Sequence, residues 1–262
     1  RDPGAAPETG GAGSVTAGGA KGVGAKGGGA RIVERPSPNH GPRRDAPVDV
    51  LLLHYTDMPR VSDALDRLCD PAAQVSAHYV IGEDGTVWRL VPESERAWHA
   101  GVSWWAGETD LNSRSVGIEI SNPGHSHGYR PFPEAQMAAL ESLCRGILAR
   151  HPIPPHRVLG HSDVSPGRKI DPGHLFDWRR LARAGIGLWP EDAAPAALSG
   201  AEIVAALGAI GYRTEGPDAA HPANRAALSA FRRHWCPGTL ERPFEGRMAG
   251  MLKAVAGAIK KT

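Results

Sequence analysis

The chain has 262 residues, with 30 basic against 28 acidic side chains and a formal net charge of +2. That balance makes no strong electrostatic case for nucleic acid or for an acidic membrane surface as a partner. The length suits one large domain and a small one, and three scattered cysteines, Cys69, Cys144 and Cys236, exclude a disulfide framework or a thiolate cluster.

No apolar run approaches the roughly 18 residues of a membrane helix. No basic start leads into an apolar signal core, although a chain that begins at Arg1 leaves a removed leader open. Residues 1–45 are rich in Gly, Ala, Pro and scattered basic residues, with almost nothing large and apolar to bury, and predict a flexible tail. From Val48 the run VDVLLLHYT is nearly continuous in apolar residues and predicts a strand buried on both faces, with His54 at its C-terminal end. Val61, Ala64, Leu65 and Leu68 fit a short amphipathic helix. In HYVIGEDGTVWRLVP two β-rich runs flank Asp84-Gly85, a dipeptide that favours a tight hairpin.

The stretch AWHAGVSWWAGETDLNSRS lacks a period and predicts a long irregular connection, a kind of loop that often carries function. SVGIEIS alternates Val116, Ile118 and Ile120 against Gly117 and Glu119 and predicts a strand. Pro133 then opens a helical pattern through Met137, Leu140, Cys144, Ile147 and Leu148. Arg157-Val158-Leu159-Gly160 predicts a further strand that delivers His161 to a sheet edge. Beyond it Pro166, Gly167, Pro172 and Gly173 exclude regular structure and predict a shaped loop able to return Asp171 to His161. Asp177 to Ala184 predicts a closing helix, and residues 191–198 a linker. Ser199 and Glu202 form a capping-box signature and Gly211 a helix stop. Two more helical patterns, one through Ala227, Leu228, Phe231 and Trp235 and one through Met248, Leu252, Val255 and Ile259, complete a three-helix module over residues 199–262.

His54, His161 and Asp171 make a donor set of zinc type, presented by strand ends and a loop. Sulfur ligands are absent, and the set has too few oxygens for calcium or magnesium. A fourth position left to water is the arrangement of a hydrolase. Glu119 is the lone carboxylate on an apolar strand and the candidate general base. Lys169, two residues before Asp171, is a candidate stabiliser of a developing oxyanion. His99 lies between Trp98 and the pair Trp104-Trp105, whose faces suit a groove for a sugar or a peptide. His125 and His127 have no adjacent carboxylate and read as loop residues, and His78 as a core or hydrogen-bonding histidine.

These residues resemble a known family. Residues 46–190 resemble the zinc-dependent N-acetylmuramoyl-L-alanine amidases of the type 2 family, in its AmiD-like and AmpD-like branches. The pieces LLHYT, SAHYVI, LVPESERAWHAG, LNSRSVGIEI, GHSDVSPGRKIDPG and GIGLWP match in collinear order. The resemblance implies an α/β fold, a mixed central sheet flanked by helices, shared with phage T7 lysozyme and the peptidoglycan recognition proteins. It implies zinc held by His54, His161 and Asp171, with Glu119 and Lys169 catalytic. Beside it, Trp98, His99 and Asn112 are the candidates for contact with substrate. The resemblance further implies the scissile bond, the amide between N-acetylmuramic acid and the L-alanine that begins the stem peptide.

Residues 199–262 are similar to the three-helix peptidoglycan-binding module, although Arg232 stands where that module's usual FQ pair places glutamine. The implied partner is peptidoglycan or a muropeptide, met by a monomer. Two other readings stay open: a non-catalytic peptidoglycan-recognition protein on the same fold, and a metallopeptidase acting within the stem peptide. The appended module and extended tail favour the cell envelope, or periplasm, while the unpaired cysteines leave the cytoplasm open.

Overall fold

The computed structural model describes residues 32–244 and 246–260. The Gly-rich tail expected at the start lies outside the described residues as far as residue 31. From there the structure corrects the expectation. Strands β1 (Ile32–Glu34) and β2 (His40–Pro42) occupy part of the stretch read as tail. Polar anchoring, which hydropathy does not register, holds this segment in place. Asn39 Nδ2 donates to the carbonyls of Asp70 and Val75, both at 2.8 Å, and the Arg43 guanidinium donates to those of Glu93, Ser113 and Ser115 at 2.9, 2.7 and 3.0 Å.

Strand β3 (Val50–Tyr55) is buried throughout and is followed by helix α1 (Val61–Cys69), which turns Ala64, Leu65 and Leu68 inward. Strands β4 (Tyr79–Ile81) and β5 (Val87–Arg89) form the expected antiparallel hairpin, with Gly85 at φ +83° in its turn. Strand β6 (Glu95–Ala97) pairs with β2, and the short helix α2 (Leu111–Arg114) leads into β7 (Ser115–Ile120). The turn α3 (Gly124–His127), the long helix α4 (Glu134–Arg150) and strand β8 (Val158–Gly160) follow. The loop after β8 begins with one helical turn, α5 (His161–Val164), which sequence reading did not anticipate. It forms because the Asp163 carboxylate accepts from the N–H of Gly160 at 2.8 Å, satisfying a free donor at the turn's start. Helix α6 (Trp178–Arg183) closes this part of the chain, and α7 (Gly200–Ile210), α8 (Pro222–Trp235) and α9 (Arg247–Ile259) complete it. Ser199 and Glu202 form the capping box on α7.

Six strands make a mixed sheet in the order β1-β5-β4-β7-β3-β8, parallel except between β4 and β5. Side chains alternate across its plane. Leu51, Leu53, Val116, Ile118 and Ile120 pack on one face with Leu140, Cys144 and Ile147 of α4. Val50 and Leu52 pack on the other with Leu207, Ile210, Phe231 and Leu252 of α7–α9. The three C-terminal helices therefore share a core with the sheet. Among the described residues no helix is long and apolar enough to cross a membrane.

Candidate metal and catalytic centre

The period-2 alternation of β3 that buries Val50 and Leu52 places His54 on the same face, at the strand's C-terminal end. In the parallel register Gly117 of β7 stands opposite Leu52, and Glu119 opposite His54. On the other side of β3, β8 pairs Gly160 with Leu53, so the next residue, His161, leaves the sheet edge beside His54. The N–H of Ser162 donates to the carbonyl of Asp171 at 2.9 Å, closing the loop and returning Asp171 to its partner.

Three buried donor atoms meet there. His54 Nδ1 is 3.0 Å from His161 Nδ1 and 3.2 Å from Asp171 Oδ2, and His161 Nδ1 is 3.1 Å from the same oxygen. His161 Nε2 lies 3.0 Å from the carbonyl oxygen of Ala100, which can only accept. Arg168 Nη2 lies farther from the same nitrogen, at 3.4 Å, so the closer carbonyl favours the ring proton on Nε2, and Nδ1 turns a lone pair toward Asp171. A lone pair facing a carboxylate oxygen at 3.1 Å is repulsive unless a cation lies between them. Each of the three residues offers one ligand atom to such a cation.

Electrostatics at the centre follow from burial. Burial, then the neighbouring His161, lowers the His54 pKa to about 4, so its ring is neutral at physiological pH. Burial alone would raise Asp171, but His161 and His54 outweigh it and hold the carboxylate well below its ordinary range. Burial and then the like charge of Asp171 push Glu119 well above its ordinary value, with Lys169 opposing. Glu119 Oε2 is buried without a hydrogen-bond partner among the described residues.

A groove of about 370 Å³ opens over these groups, lined among others by Tyr55, Trp98, His99, Glu119, Lys169 and Asp171. Not every expected substrate residue faces it. Asn112 instead pins the loop behind it, its carboxamide oxygen accepting from the N–H groups of His99 and Ala100 at 3.0 and 2.8 Å. Trp105, expected to offer an aromatic face, is buried under the C-terminal helices and meets Tyr212 edge-on at 4.9 Å. His125, read as a plain loop residue, lines the groove with its Nδ1 2.9 Å from the Tyr55 hydroxyl and its ring stacked on Tyr129. His78 is a buried hydrogen-bonding histidine as expected, its Nδ1 accepting from the N–H of Gly117 at 2.9 Å. Sequence reading missed Arg168. Its Nη2 reaches the carbonyls of Ala100 and Val102 at 3.1 and 2.7 Å and ties the Gly101 loop to the His161 loop. One arginine in a basic loop carries no signal of that role.

The family model described as N-acetylmuramoyl-L-alanine amidase matches residues 44–174. The chain is 36% identical over 255 residues to the N-acetylmuramoyl-L-alanine amidase AmiD of Escherichia coli (strain K12), across 87% of this chain and 90% of that protein. It is 35% identical over 161 residues to the 1,6-anhydro-N-acetylmuramyl-L-alanine amidase AmpD of Haemophilus influenzae, across 54% of this chain and 85% of that protein. The structure of E. coli AmiD in complex with anhydro-N-acetylmuramic acid-L-Ala-D-gamma-Glu-L-Lys is similar at a TM-score of 0.72 and 34% identity, covering 86% of this chain and 93% of that one. AmpDh3 of Pseudomonas aeruginosa is similar at a TM-score of 0.73 and 31% identity, covering 86% and 95%. The family match spans the strands and loop that bring His54, His161 and Asp171 together, and the match to AmiD covers more than two thirds of both chains. On both grounds the chain belongs to the N-acetylmuramoyl-L-alanine amidase family.

Proposed function

We propose that this amidase works as a zinc hydrolase, with His54, His161 and Asp171 as metal ligands, Glu119 as general base and Lys169 as oxyanion stabiliser. The observation that carries the reading is the triangle of donor atoms. Zinc bonds of 2.0–2.1 Å in a tetrahedral site imply ligand atoms about 3.3 Å apart, and the three atoms stand 3.0, 3.1 and 3.2 Å from one another. Two imidazole nitrogens and one carboxylate oxygen, with a fourth position facing a groove, suit catalytic zinc better than a closed structural site. Zinc bound there supplies a Lewis acid that polarises a carbonyl and acidifies water.

The protein's own groups do the rest. Glu119, opposite His54, takes a proton from the attacking water and passes it to the departing amine of L-alanine. Lys169 lines the same groove and offers its ammonium to the negative charge that develops on the carbonyl oxygen. The substrate class is peptidoglycan or its muropeptides. A relative held in complex with an anhydro-N-acetylmuramyl peptide supports including the anhydro forms.

Digestion of purified sacculi and of anhydro-muropeptides, with mass spectrometry of the products, tests the proposal. Stem peptides beginning with L-alanine are expected, with release stopped by a chelator and restored by Zn²⁺. Products cut within the stem peptide, binding without cleavage, or activity indifferent to both chelation and Glu119→Ala would overturn it.

The catalytic unit is proposed to span residues 46–190, and wall binding by residues 199–262 rests on sequence likeness. A specific observation favours a bracing role for the helices as well. Asp163, two residues after His161, accepts from Tyr212 Oη at 2.5 Å and His234 Nδ1 at 2.7 Å, so α5 is tied to the C-terminal helices.

A further inference from the structure

We propose that His99 and Ser115 are positioning residues that fix which nitrogen of His54 is free to bind metal. The inference rests on the zinc reading of the centre and deepens it.

The His54 tautomer follows from where a single proton is held. Ser115 Oγ lies 2.5 Å from the carbonyl oxygen of Leu111, which only accepts, so the hydroxyl proton is committed there. The same Oγ is 3.3 Å from His99 Nε2. With its proton used, Oγ accepts from the ring, so His99 carries its proton on Nε2. In a neutral imidazole the other nitrogen then holds the lone pair. That nitrogen, His99 Nδ1, is 3.0 Å from His54 Nε2, which must donate to it. The His54 lone pair is thereby left on Nδ1, the atom that meets His161 and Asp171. A ligand histidine whose remote nitrogen donates to a fixed acceptor is held in tautomer and orientation. The acceptor here is a second histidine, itself oriented by a serine.

The surroundings are shaped for the ring. A Cβ on Gly117 would fall 2.5 Å from His99 Nδ1 and Cε1, so the ring occupies space that glycine leaves open on β7. Asn112 holds the main chain of the same residue through its N–H at 3.0 Å. One short segment, Leu111 to Ser115, thus orients both backbone and ring. Both ring nitrogens of His99 are engaged inside the protein, which sets the residue behind the ligand and not in polar contact with substrate.

The test is zinc affinity of the full chain, read by chelator competition, with long-range ¹H–¹⁵N spectra reporting the His54 tautomer. His99→Phe should weaken zinc binding roughly 10- to 100-fold. His99→Gln, whose carboxamide can accept from His54 and donate to Ser115, should stay within about threefold of the parent. Ser115→Ala, which leaves the ring in place, should mix the His54 tautomers and weaken zinc severalfold. It carries the test should His99→Phe fail to fold, as judged by melting of the metal-free protein. Parent-like zinc affinity and an unchanged His54 tautomer in Ser115→Ala and in folded His99→Phe would overturn the proposal. Failure of the parent chain itself to bind zinc would instead sink the zinc reading.

Discussion

His54 and Glu119 stand opposite one another in the parallel β3–β7 ladder, so a metal-ligand candidate and a carboxyl group with one oxygen unpartnered among the described residues project from the same face of the sheet. Adjacent parallel strands place paired side chains on the same side, which sets the proposed base next to the proposed metal site without making it a ligand. Glu119→Ala should therefore lower kcat about 10²- to 10⁴-fold, the usual worth of a general base. Zinc content, measured on the same preparations, should be that of the parent. Loss of zinc together with activity would make Glu119 a ligand and refute the assignment.

Lys169 reaches the groove from a backbone fixed by its N–H, which donates to the carbonyl of Ser165 at 3.0 Å. An ammonium aimed at charge that appears only during the reaction should act on kcat more than on KM. Lys169→Ala is expected to reduce kcat by about 10²- to 10³-fold with a small change in KM. Steady-state kinetics on a defined muropeptide checks the split, and a change confined to KM would reassign Lys169 to substrate binding.

Asp163 joins the sheet-borne half of the molecule to the C-terminal helices. It is fully buried and accepts from Gly160 N at 2.8 Å, His234 Nδ1 at 2.7 Å and Tyr212 Oη at 2.5 Å. The His234 ring is stacked between Trp178 and Trp235 at 3.7 and 3.6 Å, so it has no other place to go. Removing one partner of a buried, hydrogen-bonded pair leaves the others unpaired, and Asp163→Ala should cost about 3–5 kcal/mol of stability. Because His161 opens the same turn, zinc affinity should fall as well. Denaturant melts and zinc titrations check both, and a variant as stable as the parent would rule out the bracing role.

Glu93 predicts part of the acid limb of stability. Burial would raise its pKa, but Arg150, Tyr79 and His151 outweigh burial and lower it to about 2. The group binds fewer protons folded than unfolded, so its contribution is present above the ordinary glutamate value of 4.5 and is lost as pH falls toward 2. Discounted for partial exposure, that contribution is about 2 kcal/mol. Glu93→Gln should therefore destabilise the protein at pH 7 and converge with the parent near pH 2. A stability gap independent of pH would show that packing, and not charge, is what Glu93 supplies.

Much of the centre was legible in the chain because its signals are local. An apolar run ending in histidine, a strand with one carboxylate and a proline-glycine loop between His161 and Asp171 each follow from strand period and turn chemistry. Caps and stops behaved likewise, as Ser199 and Glu202 on α7 show. What the chain did not disclose depends on partners distant in sequence. His54 and His99 are 45 residues apart, and Arg43 meets Ser115 across 72.

Strand period is enough to put His54 and Glu119 on inward-facing positions of their strands, and turn chemistry to return Asp171 toward His161. Only packing shows that the His99 ring meets His54 while Asn112 pins the loop behind the groove, that Trp105 is buried against Tyr212, and that strands precede the first apolar run. The physical reason is that hydropathy and periodicity record how much of a side chain is buried and on which face. Which buried donor meets which acceptor is fixed only when separate segments pack together.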